Sequence, residues 1–357
     1  MLTRTSSAPV VLAIVMLAGC GGDPPPFDPD GGAPGGDAAM PTGDGGPLPG
    51  SDAGPPPPPS GYVDPMCTDG QYAEAPPDRG ASLDGISFSG DVPAFVDAAL
   101  AARYPFGLDL VRGGRMETRF GDCSVLFAGS PASDDDLYRR LDTIVHECGH
   151  IYDGFLSRPP TNAYVISDAP LRFDCSRGDT TERSGDTFAR SRIRGDAYQP
   201  LRAPCAGGGR GCDFYADTYL DGDPDDGTFQ GGDQGFNMLL EEAVQYVNSL
   251  VTAYAFADRM SAGTSTSARD GILTLLWYVE RYLHLARTDY PSAYAAISGD
   301  ACWRDAILTV WGRAWLYLEL TREVPGLGID DDAIEALVAD ATLLDEIERI
   351  RTASGCP

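Results

Sequence analysis

The chain contains three histidines, and two of them stand four residues apart in His146-Glu147-Cys148-Gly149-His150, an H-E-x-x-H pattern. On a helix, positions i and i+4 lie one turn apart on one face. Both imidazoles can then reach one tetrahedral divalent ion, at about 2.0–2.1 Å for zinc. Glu147 sits one step round the helix, where it can take a proton from water at the ion's open position and pass it to a leaving amine. The expectation is a Zn²⁺ site with His146 and His150 as ligands and Glu147 as general base. A purely structural ion has no need of Glu147.

A helix must carry this pattern, and residues 133–157 supply one. Ser133 is a good N-cap, followed by Asp134, Asp135 and Asp136 in the first turn. Leu137, Leu141, Ile144, Cys148, Ile151 and Phe155 recur at helical spacing. That stripe centres opposite the histidines, so it is predicted to face the core while Thr143, His146, His150 and Asp153 face a cleft. Further helices are predicted over 92–103, 237–259, 269–288, 303–322 and 330–352. Short apolar runs predict strands over 107–111, 124–128 and 164–173. Residues 174–235 are polar, Gly-rich and cysteine-bearing and predict no regular element. The fold class expected is α+β, with a small early β-sheet and a mainly helical C-terminal half.

H-E-x-x-H on a helix resembles the zincin metallopeptidases, which implies a zincin-like metallopeptidase fold and a third protein ligand. The metzincin extension H-E-x-x-H-x-x-G-x-x-H is absent: Asp153 and Leu156 occupy the Gly and His positions, and Gly154 is one place late. The gluzincin pattern takes a Glu from a later helix. The segment Glu241-Glu242-Ala243-Val244-Gln245 approximates E-x-x-[A/S]-[D/E], with Val244 and Gln245 as departures. This template favours Glu241 as the third ligand and keeps Glu242 as the alternate. His-Glu-Cys-Gly-His-Ile-Tyr-Asp is similar to the gluzincin subset typified by anthrax lethal factor. That resemblance implies that Asp153 orients a ligand histidine or closes the site. It covers two helices, around 137–156 and 237–256.

Amide hydrolysis also needs a group to hold the developing oxyanion. His284 is the remaining histidine, with Glu280 one turn earlier, and it is a candidate catalytic residue. Tyr215, Tyr219 and Tyr246 are rival donors. Asp221, Asp223 and Asp225 alternate as calcium ligands do, although Asp226 and Gly232 break the EF-hand pattern. A Ca²⁺ ion at these three acids is a second expectation. Of nine cysteines, eight lie beyond residue 60, and eight cysteines allow 105 pairings. Cys302 and Cys356 flank the last two predicted helices and could close them, whereas Cys148 faces the core as a candidate buried thiol.

The 357 residues carry 26 basic and 53 acidic groups, a net charge of −27, and every basic residue is Arg. Such a surface repels nucleic acid and anionic lipid headgroups. The amino terminus has Arg4, an apolar run over 8–17 and then Leu17-Ala18-Gly19-Cys20. This resembles a bacterial lipoprotein signal and implies cleavage before Cys20 and acylation of its thiol. Residues 21–60 hold 24 Pro or Gly in 40 positions, too polar and too poor in large apolar groups to order on their own. The organisation expected is a signal peptide over 1–19, a Pro/Gly/Asp-rich linker over 20–60 and a zinc metallopeptidase-like domain over 61–357. The location expected is the bacterial cell envelope, lipid-anchored at the outer membrane or cell surface. The function expected is hydrolysis of a protein or peptide substrate. Alternatives are a non-catalytic surface lipoprotein with a structural zinc, or a cell-wall peptide amidase.

Overall fold

A computed structural model describes residues 61–167, 171–198, 212–213, 215–222, 231–260 and 266–357. The signal-like segment, Cys20 and the linker over 20–60 lie outside the described residues. The helices are α1 (Thr68–Gln71), α2 (Val92–Arg103), α3 (Pro105–Gly114), α4 (Cys123–Ala128), α5 (Asp134–Tyr138) and α6 (Leu141–Leu156). A hairpin of β1 (Thr161–Val165) and β2 (Arg172–Ser176) follows. Then come α7 (Ala216–Tyr219), α8 (Phe236–Ala255), α9 (Ala268–Asp289), α10 (Pro291–Gly299), α11 (Ala301–Leu320), α12 (Asp331–Val338) and α13 (Ala341–Ala353). The protein is thus mostly helical with one small antiparallel sheet, an α+β arrangement in the broad sense. Among the described residues no helix is long and apolar enough to cross a membrane.

Two of the predicted strands are helices. Residues 107–111 belong to α3, whose Pro105 fits the first helical turn. Residues 124–128 belong to α4, which Asp122 caps by accepting the Ser124 N–H at 2.9 Å. Short apolar runs look alike in a buried strand and a buried helix, and here both are helical because each begins on a helix-starting residue. The third predicted strand, 164–173, covers only the end of β1 and the start of β2, two strands that pair antiparallel, Thr161 with Ser176 and Val165 with Arg172; residues 168–170 lie outside the described residues. The helix predicted over 133–157 breaks at Arg139–Arg140 into α5 and α6. That over 330–352 breaks before Asp340, which caps α13. The helix over 92–103 matches α2, and those from 237, 269 and 303 match α8, α9 and α11 within a few residues.

The core is built on α8 and α9, both buried on nearly every face. α6 packs on α3 and α8, and α8 packs in turn on α9 and α11. All four tryptophans, Trp277, Trp303, Trp311 and Trp315, are buried among these helices. At Gly114 a Cβ would lie 2.5 Å from the Cys148 carbonyl oxygen, so α3 and α6 meet closer than side chains allow.

Three disulfides tie this assembly together among the described residues. Cys67–Cys356 joins the start of α1 to the tail after α13, Cys123–Cys148 joins α4 to α6, and Cys175–Cys302 joins β2 to α11. Cys148 is therefore not a free buried thiol. Cys302 and Cys356 do not pair, because the start of α11 lies against β2 and the tail after α13 lies against Cys67.

Glu280 on α9 is fully buried, and neither carboxyl oxygen has a hydrogen-bond partner among the described residues. Burial, reinforced by Asp340 and Glu346, pushes its pKa well above the usual carboxylate range. The group folds neutral, whereas the unfolded chain ionises it above about pH 4.3. Its contribution is therefore intact below that pH and declines as pH rises toward the folded pKa, by up to about 1.4 kcal/mol per pH unit. Glu280→Gln should leave the urea midpoint near that of wild type at pH 4 and raise it at pH 8. An offset that does not change with pH would show that ionisation is not the cause.

Candidate metal centre

α6 presents His146, Glu147 and His150, all buried or nearly so. The face expected to open on a cleft is covered by α8. Gly149 permits this: a Cβ there would lie 2.0 Å from Gln245 Oε1. The two helices therefore meet over the middle of the H-E-x-x-H segment, and the side chains of α8 close on both imidazoles.

Each ring is held by its Nδ1. His150 Nδ1 lies 2.5 Å from Glu241 Oε2 and His146 Nδ1 lies 3.0 Å from Ser249 Oγ. The Gln245 backbone carbonyl also accepts from His146. With Nδ1 donating, each Nε2 turns inward, and the two Nε2 atoms stand 2.9 Å apart. Glu242 Oε2 completes the cluster, 3.4 Å from His150 Nε2 and 3.8 Å from His146 Nε2.

The donor set fits a divalent ion. Ligand atoms about 2.05 Å from a tetrahedral zinc stand about 3.3 Å from one another, and the three separations here bracket that value. Both Glu242 oxygens are buried with no hydrogen-bond partner among the described residues. Arg190 lies beside Oε1 and both Nε2 atoms face Oε2, so a cation between the three ligand atoms would meet a carboxylate already held in its charged form. His146, His150 and Glu242 form the group of potential ligands, their ligand atoms within 4.8 Å of one another.

The charges around the cluster are interlocked. Burial, then the nearby His150, pushes His146 down to about 3. Burial opposes charge on His150 as well, but Glu241 and Glu242 outweigh it and hold its pKa well above the ordinary value. For Glu242, burial acts upward and is overcome by His150, Arg190 and His146, so the carboxyl stays below its usual range. Arg190 is fully buried, with Nη1 3.9 Å from Glu242 Oε1 and its guanidinium over the Tyr219 ring.

The expected residues divide as follows. Glu241, favoured as third ligand, instead holds the outer nitrogen of His150, and Glu242 faces the inner nitrogens. Neighbours on a helix point about 100° apart, so only one of the two carboxylates faces the inner nitrogens. Asp153 does not touch a ligand histidine among its hydrogen bonds. Its carboxyl accepts the Val165 N–H and the Gln245 side-chain N–H, both at 3.0 Å, and so ties α6 to β1 and α8. His284 lies elsewhere on α9: its Nδ1 is 3.0 Å from Glu346 Oε1, beside Arg287 and edge-on to Tyr198. Glu346, and not Glu280 one turn earlier, is the carboxylate that meets its ring. Tyr246 is brought to the cluster, edge-on to His146 at 4.8 Å, with its hydroxyl 2.8 Å from that of Tyr219. Tyr215 packs edge-on to Tyr246. Of the calcium candidates, Asp221 pairs with Arg194 at 3.1 Å, and Asp223 and Asp225 lie outside the described residues. Sequence reasoning missed Ser249 and Arg190. Ser249 had a signal, because 242, 245 and 249 share one face of α8. Arg190 had none, coming from a segment with no readable periodicity.

Replacing Glu242 with Ala should abolish stoichiometric retention of a divalent ion on dialysis. Glu241→Gln should retain the ion with an affinity reduced about 10- to 100-fold, the usual cost of losing a partner of a ligand histidine. Metal analysis of both variants checks this, and the reverse order would return the ligand role to Glu241.

No protein-family model, no curated protein and no solved structure matches the chain.

Proposed function

We propose that the chain is a zinc metallopeptidase of gluzincin type. The observation that carries this reading is the convergence of two imidazole nitrogens of an H-E-x-x-H helix and one buried carboxylate of α8 at ligand separations. His146, His150 and Glu242 would hold the ion. When bound, zinc supplies Lewis acidity that polarises a carbonyl and makes water acidic near neutral pH.

The chain's own residues do the rest. Glu147 accepts a proton from the attacking water and delivers it to the leaving nitrogen. Tyr246 offers a hydroxyl to the developing oxyanion, oriented by its bond to Tyr219. It takes this role in preference to His284, whose contacts are Glu346, Arg287 and Tyr198. Arg190 stabilises the ionised form of Glu242 and so keeps the third ligand competent. The substrate is a protein or peptide. The lipobox-like Cys20 supports a tether to the bacterial envelope.

Burial favours a second reading. Glu242 is fully buried and His146 nearly so, as in sites where an ion serves folding alone. The two readings part at Glu147. On the first, purified protein carries about one zinc per chain and cleaves a mixed peptide library. Glu147→Gln then keeps the zinc and loses about 10²- to 10⁴-fold in rate. On the structural reading neither protein cleaves, and chelation unfolds both. Wild-type turnover by Glu147→Gln would remove Glu147 as the base.

A further inference from the structure

Tyr219 ends the short helix α7 and is 1% exposed. Its side chain touches two separate parts of the centre. The Arg190 guanidinium lies over its ring, 5.2 Å from the centroid, and Arg190 Nη1 lies 3.9 Å from Glu242 Oε1. Its hydroxyl lies 2.8 Å from that of Tyr246, whose ring stands edge-on to His146 at 4.8 Å. Tyr215 flanks both rings, and its own hydroxyl donates to the Ser267 carbonyl at 3.2 Å. On α9, Gly271 leaves room for this group, because a Cβ there would lie 2.2 Å from Tyr246 Cε1.

The two attachments bear on different properties. Arg190 is fully buried, and a buried cation needs a polarisable face in place of the water it has lost. The Tyr219 ring supplies that face on the way to Glu242. The hydroxyl bears on the reaction instead. A phenol has one proton to donate. While Tyr246 gives its own to an oxyanion, the 2.8 Å contact can only be a bond donated by Tyr219. A bond received in this way polarises the Tyr246 hydroxyl and strengthens the one it makes onward.

We infer that Tyr219 is a positioning residue for both parts at once: its ring seats the cation that faces the third ligand, and its hydroxyl supports Tyr246 as oxyanion donor. The inference rests on the metallopeptidase reading for its consequences.

Two substitutions separate the roles. Tyr219→Phe keeps the ring and loses the hydroxyl, whereas Tyr219→Leu loses both. Zinc affinity, read by competition with a chromophoric chelator, should stay near wild type in Tyr219→Phe and fall about 10-fold in Tyr219→Leu. On a cleaved peptide, Tyr219→Phe should lower kcat about 5- to 10-fold, the worth of one hydrogen bond, with KM nearly unchanged. Tyr246→Phe should lower kcat about 10²-fold. Adding Tyr219→Phe to Tyr246→Phe should cost nothing further, because the hydroxyl then has no donor to support. Equal zinc affinity in the Phe and Leu variants would overturn the inference, as would the same kcat loss from Tyr219→Phe with and without Tyr246. If Tyr219→Leu does not fold, Tyr219→Met also removes the ring and is read the same way. A wild type that holds zinc and cleaves nothing ends the peptidase reading, and the zinc comparison still decides the seat of Arg190. Should wild type bind no zinc, the metal reading falls, and urea midpoints of ion-free Tyr219→Leu, Arg190→Met and the double variant decide it. Losses smaller together than in sum support the seat, and additive losses overturn it.

Discussion

The contact of α6 with α8 at Gly149 governs the site, because among the described residues the side chains from other elements that hold the imidazoles come from α8. A side chain at 149 would displace Gln245, and with it Glu241 on one side and Ser249 on the other. The glycine between the two histidines therefore answers to packing as much as to chemistry. α8 can lie close enough to hold both Nδ1 atoms while Glu242 reaches the inner nitrogens. The same closeness removes water and raises the strength of every charge interaction in the cluster.

An acidic protein whose only cations are arginines puts several of them indoors. Arg281 binds Asp196 and the Ile193 carbonyl beneath the face of Trp277. Arg269 bonds Asp331, the Leu318 carbonyl and Thr321. Arg313 spans three partners on three separate segments, Glu74, Tyr104 and Asn248. Each of these sites asks one side chain to donate in several fixed directions while remaining charged. The guanidinium fork meets that requirement and a lysine ammonium does not. The buried cations therefore act as multi-point clasps between segments far apart in sequence.

Much of the candidate site was legible because it depends on local periodicity. His146, Glu147 and His150 follow from spacing alone, and α2, α8, α9 and α11 follow from long stretches of apolar repeat. Where the sequence misled, the deciding quantity was tertiary. Residues 107–111 and 124–128 are too short for their apolar pattern to distinguish a strand from a buried helix. The choice between Glu241 and Glu242 depends on how α8 is rotated about its own axis against α6. That rotation is set by a contact between Gly149 and Gln245, 96 residues apart, and no pattern within α8 reveals it. Arg190 reaches the cluster from the start of a short 3-10 helix, Arg190–Gly195, too brief for any periodicity to place it.

Cys148 sits between the two histidines on α6, and its sulfur is joined to that of Cys123. Two positions from either histidine is about 200° round the helix, so this sulfur points away from the imidazoles, toward α3 and α4. The bond therefore pins the back of α6 while α8 holds its front, and the helix cannot roll between the two and carry the imidazoles out of register.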